Sequence, residues 1–283
     1  MSQPVRIETD DGVRSIILAR PEQYNTITPE LRDALSAAID DADADPAVRV
    51  MLLRADGPAF CAGYGLDWAT EYQAGAEAEQ VWDSAKDYRM MSGFVDTYLK
   101  FWYAAKPTIA AVQGWCIAGG TDMVLCTDLI VAGENAVFGY PPSRVWGTPT
   151  TAMWVYRMGF EKAKRYLLTG DEIPARTAAE IGLIGECVPD DRLTEHAFGL
   201  AERMAKLPGN QLEMLKLLCN QTVENMGFAS SRTLGTFLDG VARHTGEGQA
   251  FVSRAGQVGF RQAVRERDEP FGDYGSRPRE ENR

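Results

Sequence analysis

The chain has 283 residues, enough for one large domain with a substantial buried core. Its composition, 45% hydrophobic and 24% charged, is typical of a soluble globular protein, and no apolar run reaches the roughly 20 residues of a membrane-spanning helix. The 40 acidic residues outnumber the 29 basic ones and give a net charge of -11, which argues against nucleic acid as a partner.

The cysteines and histidines carry no metal-binding pattern. The five cysteines are odd in number and lack C-x-x-C spacing, so they predict free thiols in a reducing compartment. Only His196 and His244 are present, which argues against a His-rich metal site. The first residues have no apolar signal core, so we expect a cytoplasmic protein that is not exported.

The first 54 residues predict strand, helix and strand in succession. Residues 5–18 alternate in the manner of a β-hairpin that turns at residues 10–12, Asp-Asp-Gly. Thr28-Pro29-Glu30 is typical of a helix start, and apolar residues follow it at helical spacing up to Ala42. Residues 48–54 form a short apolar run that predicts a buried strand. A right-handed βαβ crossover is therefore expected.

Residues 67–103 are compatible with helix and carry many bulky side chains, which predicts a core-facing, lid-like helical segment. A strand is predicted at 107–112, a helix at 118–126 and a strand at 129–132, and helical patterning continues from 148 to about 265. We expect a core at 1–205, a helical region at 206–265 and a disordered tail, rich in charge, Gly and Pro, at 266–283.

Two segments share a layout in which a buried strand leads through a turn of small residues into a helix. The first turn contains Gly63 and Tyr64, and the second contains Gly119 and Gly120, about 55 residues later. Small residues let a ligand approach the main chain, and a helix start leaves N–H groups without partners. Two such N–H groups converging on one oxygen would form an oxyanion hole. Either turn alone is weak evidence, whereas the ordered pair is more specific.

Seven blocks in this order resemble the crotonase (enoyl-CoA hydratase/isomerase) superfamily. They are Arg20-Pro21 with Asn25, residues 60–63 (Phe-Cys-Ala-Gly), 106–114 (Lys-Pro-Thr-Ile-Ala-Ala-Val-Gln-Gly), 118–120 (Ala-Gly-Gly), 126–132 (Cys-Thr-Asp-Leu-Ile-Val-Ala), Phe138-Gly139, and 178–189. The resemblance implies an α/β fold with a crotonase-like β-β-α spiral core and a C-terminal helical trimerisation region. It also implies a homotrimer or dimer of trimers that acts on a coenzyme A thioester, without a permanently bound cofactor.

The resemblance also assigns the site residues. It makes the N–H groups of Tyr64 and Gly119 the oxyanion donors, and it places the CoA adenine against residues 62–66. The substrate-binding residues expected on this basis are Ala62, Gly63, Gly65, Leu66, Asp67 and Gly120. Trp146 is added to them as acyl-pocket wall, with a place in the core as the alternative.

The catalytic acids depart from the family pattern. Hydratases of this family place two glutamates around the substrate double bond; the first falls on Asp122, and the second falls in residues 140–147, which contain no carboxylate. Gly65 stands where the family has an aspartate. Tyr140 is the alternative proton donor, with Ser143 and Arg144 as weaker candidates. Tyr140 is equally compatible with an aromatic that holds the turn, and Asp122 with a helix first-turn acid.

Three functions remain open on the sequence. The first is an enzyme of the hydratase/isomerase type that stabilises a thioester enolate. The second keeps the fold but isomerises a double bond or hydrolyses a C–C or thioester bond. The third is an acyl-CoA-binding protein with little turnover.

Overall fold

The computed structural model describes residues 3–65 and 82–274, and ten strands form two sheets within those ranges. The strands are β1 (Val5–Asp10), β2 (Val13–Leu18), β3 (Val50–Ala55), β4 (Ala59–Cys61), β5 (Thr108–Val112), β6 (Trp115–Ile117), β7 (Leu129–Gly133), β8 (Val137–Gly139), β9 (Ile173–Pro174) and β10 (Glu186–Val188). The larger sheet has the order β1-β2-β3-β5-β7-β10, and the smaller has the order β4-β6-β8-β9.

Eleven helices of the described ranges surround the sheets. They are α1 (Pro29–Ala44), α2 (Ser84–Tyr103), α3 (Gly119–Leu125), α4 (Met153–Met158), α5 (Phe160–Leu167), α6 (Ala175–Glu180), α7 (Leu193–Ala205), α8 (Gly209–Asn225), α9 (Phe228–Arg243), α10 (Gly246–Val258) and α11 (Phe260–Asp268). None of them is long and apolar enough to cross a membrane.

The predicted strand–helix–strand unit at the start of the chain is confirmed. Strands β1 and β2 pair antiparallel through a turn in which Asp11 and Gly12 have positive φ. Helix α1 then begins as predicted, since the Thr28 hydroxyl accepts a hydrogen bond from the Leu31 N–H and Pro29 occupies the first helical position. Strand β3 returns parallel to β2. The crossover thus buries the apolar face of α1 against the sheet.

The strand pairs that follow alternate between the two sheets. Strand β3 of the large sheet leads to β4 of the small one, β5 leads to β6, and β7 leads to β8; β3, β5 and β7 pair parallel with one another, as do β4, β6 and β8. This repetition is the β-β-α spiral that we expected. Because the short strands stack at one end of the large sheet, the turns that follow β4 and β6 become neighbours.

The main core lies between the sheets and helices α1 to α3. Helix α2 contributes Met91, Phe94, Tyr98 and Phe101 to it, so the core-facing helix predicted within 67–103 is confirmed for residues 84–103. The rest of that prediction falls on residues 67–81, outside the described ranges. Helix α7 covers the opposite face of the large sheet with Leu193, Ala197 and Ala201. All five cysteines are free thiols.

The expected disorder of residues 266–283 does not hold for residues 266–274. Helix α11 continues to Asp268, and a 3-10 turn spans Glu269–Phe271. Asp268 is fully buried and bonds to Arg144 at 2.9 Å. The composition of the tail favoured disorder, but a buried arginine far away in sequence holds its first part in place. Residues 275–283 lie outside the described ranges.

Candidate active site

The two turns singled out in the sequence lie side by side. Strands β4 and β6 pair directly, and the Gly119 nitrogen is 3.8 Å from the point where a Gly63 side chain would begin. Ile27 donates to the Gly63 carbonyl and accepts from the Gly65 N–H, both at 2.8 Å. The Tyr64 N–H between these two bonds meets no acceptor among the described residues.

The second N–H is exposed by the way helix α3 begins. Ala118 has φ 53° and ψ -123°, a strained conformation for a residue with a side chain, and its N–H is held by the Gly139 carbonyl at 2.9 Å. The chain therefore turns sharply at Ala118, and the Gly119 N–H lies in the first helical turn, before the first intrahelical donor, the Asp122 N–H, which bonds to the Ala118 carbonyl at 3.1 Å. Within the described ranges it too has no partner.

Glycine is required in this turn because the two segments approach closely. A Cβ atom at Gly120 would lie 2.5 Å from the Cys61 carbonyl oxygen, and one at Gly119 would lie 2.7 Å from the Tyr64 ring. The Tyr64 ring packs edge-on against Phe94, and its hydroxyl bonds to that of Tyr98 at 3.2 Å. Burial raises the pKa of the Tyr64 phenol, which therefore stays protonated.

Asp122 lies in the first turn of α3 with its carboxylate completely buried and fully hydrogen-bonded. One oxygen accepts from the Thr150 N–H at 2.8 Å and the Thr150 hydroxyl at 2.9 Å; the other accepts from the Trp154 indole at 3.0 Å and the Thr151 hydroxyl at 3.5 Å. Burial raises the pKa of Asp122 to about 6, against the lowering effect of these donors. The acceptor capacity of the carboxylate is therefore used.

The Tyr140 hydroxyl is also engaged. It donates to the Thr148 carbonyl at 2.7 Å, and the buried ring packs edge-on against Trp154. Burial holds the pKa of this phenol well above its usual range, so it cannot act as a base near neutral pH. This geometry matches the turn-holding alternative better than that of a free proton donor.

The two weaker candidates serve the structure. The Ser143 hydroxyl donates to the Tyr140 carbonyl at 2.8 Å. The Arg144 guanidinium is buried and binds Asp268 at 2.9 Å and Asp273 at 2.7 Å, so it anchors the C-terminal segment.

The predicted substrate-binding residues divide into three groups. Ala62, Gly63, Gly65 and Gly120 lie in or beside the two turns that carry the Tyr64 and Gly119 N–H groups. Leu66 and Asp67 lie outside the described ranges. Trp146 packs in an apolar cluster with Phe251 and Phe260, its ring centre 5.3 Å and 6.3 Å from theirs. It therefore joins the segment after β8 to helices α10 and α11.

Helix α9 brings an acid that sequence reasoning missed. This helix buries polar residues, among them Thr236 and Asp239, while its apolar Leu234, Phe237 and Leu238 are exposed. Asp239 accepts from the Arg243 Nε at 3.1 Å and from the Thr148 N–H at 3.4 Å, and burial raises its pKa. The only sequence signal was an aspartate four residues before an arginine, a spacing that usually marks a solvated helix face.

Comparisons with known proteins agree on one family. The sequence model of the enoyl-CoA hydratase/isomerase family matches residues 8–240. The chain belongs to this family. The predicted resemblance is therefore confirmed, and with it the fold and the assignment as an enzyme.

Individual members of the enoyl-CoA hydratase/isomerase family support this over nearly the whole chain. The crystal structure of an enoyl-CoA hydratase from Mycobacterium smegmatis is 43% identical with a TM-score of 0.91, covering 98% of this chain and 97% of that one. An enoyl-CoA hydratase of Mycobacterium tuberculosis is 36% identical over 67% of this chain and 70% of its own length. A hydroxycinnamoyl-CoA hydratase-lyase of Pseudomonas fluorescens is 33% identical over 71% of this chain and 72% of its own.

Proposed function

We propose that this protein is an acyl-CoA enzyme of the hydratase/isomerase type, in which the Tyr64 and Gly119 N–H groups bind the thioester oxygen. The observation that carries the proposal is a pair of N–H groups on two adjacent turns, for which the described residues offer no acceptor. Buried polar groups are normally paired, so two main-chain donors left open in one place favour an acceptor supplied by a ligand.

The chemistry follows from where charge develops. When a proton leaves the carbon next to a thioester, or a nucleophile adds to a conjugated one, negative charge moves onto the carbonyl oxygen. Preorganised N–H donors stabilise that charge by about 3 kcal/mol each. Coenzyme A is then the part of the substrate by which the protein binds it, with the adenine against residues 62–66. The protein needs no permanently bound cofactor for this chemistry.

A binding protein with little turnover is the second candidate. The fully bonded carboxylate of Asp122 and the committed hydroxyl of Tyr140 favour it, because neither group is free to move a proton. The two candidates share the thioester site and differ only in turnover.

An assembly of identical chains belongs to this proposal. Helices α8 and α9 expose apolar side chains that a soluble monomer would bury. The exposed residues are Met214, Leu215, Leu217, Leu218, Leu234, Phe237 and Leu238. A homotrimer or a dimer of trimers would cover them.

The test uses crotonyl-CoA with the purified protein. Loss of the conjugated-thioester absorbance supports an enzyme of hydratase type. A rise in the melting temperature on adding the thioester, without turnover of either crotonyl-CoA or a 3-enoyl-CoA, favours the binding protein. If neither turnover nor a thioester-dependent shift is seen, the proposed oxyanion site is wrong.

A further inference from the structure

Asp122 and Asp239 are two buried aspartates with opposite hydrogen-bonding states. Asp122 is 0% exposed and accepts four hydrogen bonds, whereas Asp239 is 6% exposed and, among the described residues, accepts two, at 3.1 and 3.4 Å. A carboxylate has about four acceptor positions. Asp239 therefore has acceptor positions that no described residue fills, whereas the acceptor positions of Asp122 are filled.

The ionic partner of Asp239 is shared with a second acid. Arg243 donates both terminal nitrogens to Asp87 at 2.9 Å and gives Asp239 only its Nε. Two carboxylates thus lie on one guanidinium, in a place where all three side chains are largely buried. Among the described residues no second cation pairs with either carboxylate, which favours proton uptake by the less strongly held acid.

Oxygen Oδ1 of Asp239 faces the turn beside Tyr140. It is 3.3 Å from the point where a Gly147 side chain would begin, and the Tyr140 hydroxyl is 3.6 Å from the same point. A Cβ atom at Gly147 would also lie 2.9 Å from Pro142 Cβ, so the glycine lets this turn approach the Asp239 carboxylate closely.

Residues 148–150 tie this acid to the turns of the oxyanion donors. The Thr150 N–H binds Asp122 in helix α3, while the Thr150 carbonyl accepts from Thr236 on α9 at 3.0 Å. The Thr148 hydroxyl donates to the Gly235 carbonyl at 3.2 Å. Helix α9 is therefore locked to the segment that packs on α3. Consistent with this, the charges of Asp239 and Asp122 both add to the rise in the Tyr64 pKa that burial causes.

We propose that Asp239 is the acid/base residue of the site and that it moves the proton on the carbon next to the thioester. The C–H bond breaks, its electron pair forms the enolate whose oxygen lies between the Tyr64 and Gly119 N–H groups, and the proton goes to Oδ1 of Asp239. Return of a proton to the same carbon reverses the step, and return to the γ-carbon of an enolate conjugated with a double bond moves that double bond. This inference rests on the proposed thioester site.

The test measures deuterium incorporation at the α-carbon of butyryl-CoA in D2O by mass spectrometry. This reaction needs the proton-transfer step alone, without addition of water. We expect the wild type to exchange and Asp239→Asn to lose about 100-fold or more in the exchange rate at saturating thioester, with the apparent dissociation constant of butyryl-CoA little changed. Asp239→Glu should restore part of the rate.

Asp87→Asn is the matched control, because it disturbs the same arginine while leaving Asp239 in place. We expect it to lower the melting temperature at least as much as Asp239→Asn but to slow exchange far less. Equal losses of stability and exchange in the two variants would mean that Asp239 only holds α9, and would overturn the inference.

Three other outcomes show which of the two proposals fails. If Asp239→Asn exchanges within threefold of the wild type, Asp239 is not the base, whereas the thioester site stands. If the wild type binds butyryl-CoA without exchanging, the inference fails and the binding-protein candidate gains. If it does not bind the thioester at all, both proposals fall.

Discussion

At the scale of single residues, the position of an acid in the sequence says less about its role than its hydrogen bonds do. By the resemblance stated from the sequence, Asp122 corresponds to the first glutamate of the hydratases, yet four donors from Thr150, Thr151 and Trp154 surround its carboxylate. Such a group stabilises the start of α3 and the segment after it. The shorter side chain of aspartate draws the carboxylate back into this shell of donors.

The buried state of Asp122 predicts a pH effect on stability. Its pKa is raised from 3.8 to about 6, so the folded protein binds a proton that the unfolded chain has already lost. The stability contributed by this group is therefore complete below pH 3.8 and is lost as the pH rises toward 6, by up to about 3 kcal/mol.

Chemical denaturation of the wild type and Asp122→Asn across this pH range checks the effect. The free energy of unfolding of the wild type, relative to the variant, should fall between pH 3.8 and about 6 and then level off. Asp96→Asn, which removes an exposed carboxylate from α2, is the control. A constant difference between wild type and Asp122→Asn would contradict the prediction.

The Gly119 N–H can be removed with a matched pair of variants. Gly119→Pro deletes the donor, and Gly119→Ala keeps it while adding a Cβ that presses on the Tyr64 ring. If this N–H stabilises an oxyanion, the proline variant should lose roughly 100-fold or more in kcat relative to the alanine variant. Thioester turnover measures the effect, with circular dichroism to confirm folding; equal rates would exclude Gly119 as a donor.

At the scale of elements, helix α9 reverses the usual orientation of an amphipathic helix. It buries Asp239 and Thr236 and exposes Phe237 and Leu238. The polar face packs on residues 148–150, and hydrogen bonds make this contact. The apolar face is left for a partner.

The ion pairs that hold the C-terminal segment on Arg144 predict a large effect on stability. Arg144 binds both Asp268 and Asp273, so Arg144→Gln removes the cation that these two buried carboxylates share and should cost about 3 kcal/mol or more in the free energy of unfolding. Arg254→Gln breaks the solvent-exposed ion pair with Glu266 and should change little. Denaturant titration measures the free energy of unfolding of both variants. Similar losses in the two would mean that the Arg144 ion pairs contribute little to stability.

At the scale of the whole molecule, the exposed apolar residues of α8 and α9 predict self-association. Leu217 and Leu218 are 64% and 67% exposed in the single chain. Replacing both with glutamate should convert the assembly to the 31.2 kDa monomer, because a charge cannot be buried in an apolar contact without a partner.

Light scattering coupled to size exclusion measures this mass. Leu168→Glu, a substitution of an equally exposed leucine at the end of α5, is the control and should leave the assembly unchanged. A wild type that is already monomeric would contradict the prediction, and self-association would then not account for the exposed apolar face.

The sequence by itself determined the family, the spiral of strands and the two donor turns. These features depend on local requirements: a buried strand needs an apolar run, and glycine is needed at 119 and 120 because a Cβ atom there would lie within 3 Å of the first segment. Helix α1 was predictable for the same reason, since Thr28 and Pro29 act within one turn of its start.

Only the tertiary structure decided which donors surround each buried acid and which part of the C-terminal segment is ordered. Asp122 is saturated by residues 28 to 32 positions away, Asp239 meets Thr148 across 91 positions, and Arg144 fastens Asp268 across 124. The state of a carboxylate depends on the donors and charges that surround it, and these come from distant parts of the chain. No local pattern encodes them, so they appear only when the helices have packed.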